Sequence, residues 1–162
     1  MKRLHFITIG FILICLASQG QEINSVEIFN GRGELNYSQI ILDLSYQNLE
    51  EIPIRALNPE IEILILDNNN LSSLPSWIGQ LENLKVLSLR NNKFNVLDFG
   101  INNCENLEQL YLSGNKELSD ISAISTTSKL KIIDVIDTKI NKLPDWVRMM
   151  DNLFYFKYTK RE

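Results

Sequence analysis

Ile61-Glu62-Ile63-Leu64-Ile65-Leu66-Asp67-Asn68-Asn69-Asn70-Leu71 and, one period later, Leu84-Lys85-Val86-Leu87-Ser88-Leu89-Arg90-Asn91-Asn92-Lys93-Phe94 are the two stretches that decide the fold. Both place apolar residues at the first, fourth, sixth and eleventh positions and Asn at the ninth. The alternation within each copy is that of a strand with one face buried. The phase then breaks at an Asn, and the chain must turn.

The same spacing extends in both directions. Leu42, Leu64, Leu87, Leu110, Ile133 and Phe156 occupy equivalent positions, at steps of 22, 23, 23, 23 and 23 residues. Leu107, Leu110, Leu112 and Asn115 form the next copy, and Leu130, Ile133, Val135, Thr138 and Ile140 the one after it. A weaker first copy has Leu42, Leu44, Gln47 and Leu49, and a sixth runs Leu153, Phe156, Tyr158. No such unit has a core of its own, so each must bury its leucines against a neighbour. Strands are predicted near 41–44, 63–66, 86–89, 109–112, 132–135 and 155–158. At about 4.8 Å per strand the sheet is roughly 25 Å long.

The recurring L-x-x-L-x-L-x-x-N-x-L pattern resembles the leucine-rich-repeat family over about 39–160. The steps Ile52-Pro53, Leu74-Pro75 and Leu143-Pro144 resemble its bacterial and Ras-suppressor-like subtype. The resemblance implies an α/β, right-handed solenoid: a parallel concave sheet of about six strands, with short convex helices or turns. It also implies an asparagine ladder at Asn69, Asn92 and Asn115, whose amides satisfy backbone groups left over where the chain turns inward. Gln47 and Thr138 depart from that column, so the first and fifth turns are expected to be bonded differently. Pro75 to Leu81 and Pro144 to Met150 read as short helices with apolar residues at helical spacing. Leu112 and Leu118 stand one residue further apart than their equivalents, which predicts a bulge at Lys116-Glu117.

The first twenty residues follow another logic. A basic start (Lys2, Arg3), an apolar run (Phe6 to Leu16) and small residues (Ala17, Ser18, Gly20) read as a secretory signal peptide, cut after Gly20 or near Ala17. The run is short of the ~20 residues a spanning helix needs, so no stable membrane span is expected after cleavage. Ile14 before Cys15 argues against lipoprotein anchoring. The expected organisation is signal peptide 1–20, N-terminal cap 21–38 containing Val26, Ile28 and Leu35, and repeat domain 39–162. The expected destination is periplasmic or extracellular.

Composition narrows the function. The net charge is −4, and cleavage would remove two further positive charges, which disfavours nucleic-acid binding. His5, the single His, and Cys15 would leave with the signal, so Cys104 would be the one mature cysteine, in a core column and inert. No nucleophile motif, phosphate-binding loop or metal-ligand spacing is present, so no catalytic residue, metal or cofactor is expected. Asp43 and Asp134 share a column but lie four strands apart, about 19 Å, too far to act as a pair.

Binding is then expected on the strand positions that alternate with the leucines. One column reads Ile41, Ile63, Val86, Gln109, Ile132, Tyr155; the next Asp43, Ile65, Ser88, Tyr111, Asp134, Lys157; a third Ser45, Asp67, Arg90, Ser113, Ile136, Thr159. Ile65, Asp67, Ser88, Arg90, Tyr111, Asp134, Tyr155 and Lys157 are the candidate contacts for a protein or peptide partner. The apolar first column reads either as a sticky exposed patch or as plain strand propensity. Glu62, Lys85, Glu108 and Lys131 form a column of alternating sign, read as register control. The expected function is an exported binding module. The alternative is a structural or self-assembling cell-envelope scaffold, with the C-terminal edge strand available for a second copy unless Lys157, Lys160 and Arg161 discourage it.

Overall fold

The computed structural model describes residues 4–9, 12–17, 23–29, 35–124, 129–142 and 144–159. Two strands, β1 (Leu4–Ile9) and β2 (Ile12–Ala17), pair antiparallel in a sheet of their own. The expected cleavage site after Gly20 lies outside the described residues, as do Lys160 and Arg161.

The rest is one seven-stranded sheet in strict sequence order: β3 (Ile23–Phe29), β4 (Leu35–Asp43), β5 (Ile63–Ile65), β6 (Val86–Ser88), β7 (Gln109–Tyr111), β8 (Ile132–Val135) and β9 (Tyr155–Tyr158). Strands β4 to β9 are parallel. Their register aligns Leu42, Leu64, Leu87, Leu110, Ile133 and Phe156, the column that defines the period. β3 adds a seventh, antiparallel strand through irregular pairing with β4. The expected cap segment is thus built into the sheet, and β4 itself begins within it, at Leu35.

One core runs the length of the array. Leu64, Leu66, Leu71, Leu81, Leu84, Leu87, Leu89 and Phe94 are fully buried in a single cluster that continues through Leu110, Leu112, Leu118, Ile133 and Val135. Four of the five returns between parallel strands carry a short 3-10 helix, Ile54–Ala56, Ile78–Gln80, Phe99–Asn103 and Asp145–Met149, while the return from β7 to β8 has none among its described residues. Two fall within the stretches read as helical, and two were not anticipated. All are a single tight turn or little more, and no α-helix is found among the described residues, because a coil of 23 residues leaves no length for one. Cys104 is buried in the core as expected, its thiol pushed up to about 11 by burial. The Lys116-Glu117 insertion is absorbed as a turn closed by the Leu118 N–H donating to the Asn115 carbonyl at 2.9 Å. Among the described residues no helix is long and apolar enough to cross a membrane, and no group of His, Cys, Asp and Glu is placed to hold a metal ion.

Candidate functional site

The turns come first, because they set where each strand's side chains point. Asn69 Nδ2 donates to the carbonyls of Leu66 and Leu44, each at 2.9 Å, while its Oδ1 accepts from the N–H groups of Gln47 and Leu49 at 3.0 Å. Asn92 repeats this with Leu66 and Leu89 as acceptors and Leu71 as donor. Asn115 does so with Leu89, Leu112 and Phe94. Each amide bonds its own coil and the preceding one. Thr138 bonds within its own coil: its hydroxyl donates to the Val135 carbonyl at 2.7 Å and accepts from the Ile140 N–H at 3.1 Å. Gln47 turns its side chain outward, where its Oε1 accepts from Arg55 at 3.1 Å.

A neighbouring column went unnoticed in the sequence. Tyr46, Asn68, Asn91, Gly114 and Asp137 all take positive φ, between 54° and 77°. This left-handed residue swings the chain inward two or three residues past each strand. Asn, Asp and Gly dominate the column because they tolerate that region best. The signal was the paired Asn-Asn, Gly-Asn and Asp-Thr steps. At Gly114 a Cβ would collide with the Asn91 side chain.

The candidate contact columns do leave the leucine core, since none of Ile41, Ile63, Ile65, Val86 or Tyr111 belongs to its cluster. Most are nevertheless not open to water. Ile41, Ile63 and Val86 are 1–3 % exposed, Ile65 and Ser88 0 %, and Asp67, Tyr111 and Asp134 are buried too. The exposed-patch reading of the first column is therefore incorrect for β4 to β6. Alternation assigns side chains to two faces but does not decide that the second face is wet. Parallel strands buried on both faces read as unbroken apolar runs, and Ile63-Leu64-Ile65-Leu66 is such a run. The rows open toward the C-terminal strands: Ile132 and Gln109 are half-buried, Ile136 is partly open, Lys157 is exposed, and Tyr155 is 61 % exposed.

At the centre the polar candidates are joined. Asp67 Oδ1 accepts from the Ser88 hydroxyl at 2.6 Å and from the Arg90 N–H at 2.9 Å. The Arg90 guanidinium donates to Ser88 Oγ at 3.0 Å, lies 3.5 Å from Asp67 Oδ2, and sits 4.0 Å from the centre of the Tyr111 ring. The Tyr111 hydroxyl donates to Gln109 Oε1 at 2.8 Å. Burial raises the Asp67 pKa against the opposing pull of Ser88 and Arg90. Burial also raises that of Tyr111, which Arg90 partly offsets. The arrangement is a fixed cation on an aromatic ring, with its carboxylate held from both sides. Asp134 stands beside Tyr111 on the next strand, where its charge adds to the rise in the Tyr111 pKa, and it accepts from the Ile136 N–H at 3.2 Å. Tyr155 and Lys157 stand two strands beyond Tyr111, in β9.

On the charge column, Lys85 meets Glu62 at 2.9 Å and Lys131 meets Glu108 at 2.8 Å. The next residue in that column is Phe154, 75 % exposed, which the charge pattern had not flagged.

The array thus combines six aligned parallel strands, one continuous leucine core and an amide ladder at a 23-residue period. Residues 60–81 match the family described as Leucine Rich Repeat, and 82–126 that described as Leucine Rich repeats (2 copies). Residues 60–126 are leucine-rich repeats. The chain is similar to a leucine-rich-repeat protein of Leptospira interrogans, with 26% identity and a TM-score of 0.47, covering 69% of this chain and 41% of that one. It is also 40% identical over 68 residues to a probable serine/threonine-protein kinase of Dictyostelium discoideum, a match covering 41% of this chain and 5% of the kinase. The chain thus spans well under half of either relative. Leucine-rich-repeat domains generally mediate protein–protein interaction.

Proposed function

We propose that this chain is an exported binding module that holds a protein or peptide partner on the sheet face away from its leucine core, at the C-terminal strands. The observation that carries this is the gradient along that face, closed over β4 to β6 and open at Ile136, Tyr155 and Lys157. Tyr155, an exposed aromatic ring with Lys157 two residues along the same strand, is the kind of side chain that dominates binding energy at protein interfaces. Export is supported by the basic, apolar and small order of the first twenty residues. β1 and β2 form a separate sheet, so their removal takes no strand from the repeat array.

The test is affinity capture from extracytoplasmic proteins with three baits: the native chain, Tyr155→Ala with Ile136→Asp, and Lys85→Glu. A partner held by the native chain and by Lys85→Glu, and lost by the double variant, is expected. Equal recovery by all three baits would place binding elsewhere. N-terminal sequencing of the native protein, expected to begin near Gln21 in an extracytoplasmic fraction, tests export; recovery from the cytoplasm beginning at Met1 would contradict it.

A further inference from the structure

The flank that follows each turn is closed from coil to coil. Between the coils of β6 and β7, the Ser119 N–H donates to the Asn95 carbonyl at 2.9 Å and the Leu97 N–H to the Asp120 carbonyl at 3.0 Å, around a parallel bridge of Val96 with Asp120. Leu74, the equivalent of Leu97 one coil earlier, has its N–H met from the next coil by the Asp98 carboxylate at 2.9 Å. Ile121 comes next in this column, and there the pattern stops. The residue standing where Asp98 stands is Pro144, which offers no side-chain acceptor. Ile121 is 2 % exposed, and among the described residues its N–H has no acceptor. Nor does the Asn141 N–H bond the Ser119 carbonyl, the pair that would repeat Ser119 with Asn95. A cavity of about 220 Å³ opens at this gap, lined from the coils of β7 and β8 by residues that belong to no strand. A buried N–H left unpaired is costly, so the gap suits an acceptor from solvent or a ligand.

The lining decides what kind of ligand. Trp146 packs against the leucine core and gives the cavity an aromatic wall. Asp120, Asn141 and Lys142 bring exposed polar groups to it. The Ser122 N–H donates to Asp120 Oδ1 at 2.7 Å and, with the Ser122 hydroxyl, holds that carboxyl below its ordinary value, so Asp120 is an anion. Lys139 is taken by Glu117, and Lys142 has no ion-pair partner among the described residues. One anion and one free cation give no advantage to a ligand of either net charge. An apolar ligand would leave the Ile121 N–H unmet. An uncharged ring fits, with hydroxyls that donate and accept and an apolar face to lie on the indole. We propose that this cavity is a saccharide subsite for one pyranose ring. A sugar oxygen accepts from the Ile121 N–H, and the Asn141 amide and Asp120 carboxylate meet the hydroxyls. The small volume suits a single ring and not a peptide. The site lies off the sheet face and does not depend on the protein partner proposed there.

The test is NMR and fluorescence titration of the whole chain with uncharged methyl pyranosides of gluco, galacto, manno and N-acetylglucosamine type. At least one should saturate in the millimolar range, shift the Ile121 amide proton downfield and, in a Trp77→Phe background, change the Trp146 emission. Asn141→Ala and Asp120→Ala should each weaken that glycoside about fivefold. Both side chains are exposed, so neither change touches the core. Tyr155→Ala, on the sheet face, should leave it unchanged. Saturation by none of the glycosides would overturn the proposal. So would preferential binding of acetate, methylammonium or alanine, or glycoside binding that both cavity variants leave intact.

Discussion

Asn92 binds two coils with one amide, accepting from Leu71 and donating to Leu66 and Leu89. Asn92→Ala would leave three buried backbone groups short of a partner and should cost about 3 kcal/mol in urea unfolding. Asn92→Thr should cost less, because a Thr hydroxyl can bond within its own coil as Thr138 does. Gly114 lies at φ +77° against Asn91, so Gly114→Ala should lose roughly 1–2 kcal/mol. Asp67 makes a prediction in pH. Its folded-state pKa is raised by burial, so the folded chain holds that proton more tightly than the unfolded chain does. Its contribution is therefore greatest below the ordinary carboxylate value and falls as pH rises toward the folded value. The thermal stability of the native chain relative to Asp67→Asn should decline with rising pH across that window. A difference that grew with pH would contradict the assignment. At this scale the ladder asparagines were legible because a buried amide at a fixed offset has one evident use. The left-handed column beside them was not, because backbone dihedrals leave only a weak compositional trace, spread over Tyr46, Asn68, Asn91, Gly114 and Asp137.

Elements here are set by coil length more than by propensity. Strands of three or four residues and 3-10 turns of three to five are what fits a 23-residue circuit. That explains why Pro75 to Leu81 gives only Ile78–Gln80 as helix. Adjacent returns approach closely: a Cβ on Gly79 would strike the Asn103 Cβ. Gly79→Ala should force the returns apart at a cost of about 1–3 kcal/mol, read from the denaturation midpoint. The ion pairs between strands matter far less. Lys85 is nearly half exposed, so Lys85→Glu should cost under about 1 kcal/mol and leave partner binding unchanged. The strand positions were readable to within a few residues from alternation alone. The antiparallel β3 was not, because Ile23–Phe29 lies outside the repeat and its pairing with β4 is irregular.

Across the whole molecule, the period revealed the architecture and the alternation revealed the two sheet faces. The wetness of the second face was the part that stayed hidden. Ile63 and Ile65 look the same in the sequence whether water or protein lies over them, and only the unbroken run through Leu66 hinted that both faces are closed. The result is a sheet that is sealed at its N-terminal strands and open at β9, and the proposed binding role depends on that asymmetry. Hydroxyl-radical footprinting of the chain, alone and with a captured partner, addresses it most directly. Tyr155 and Phe154 should oxidise readily in the free chain while Tyr111 is protected, and the partner should shield Tyr155. Equal reactivity at Tyr111 and Tyr155, or a partner that leaves Tyr155 unprotected, would contradict the account.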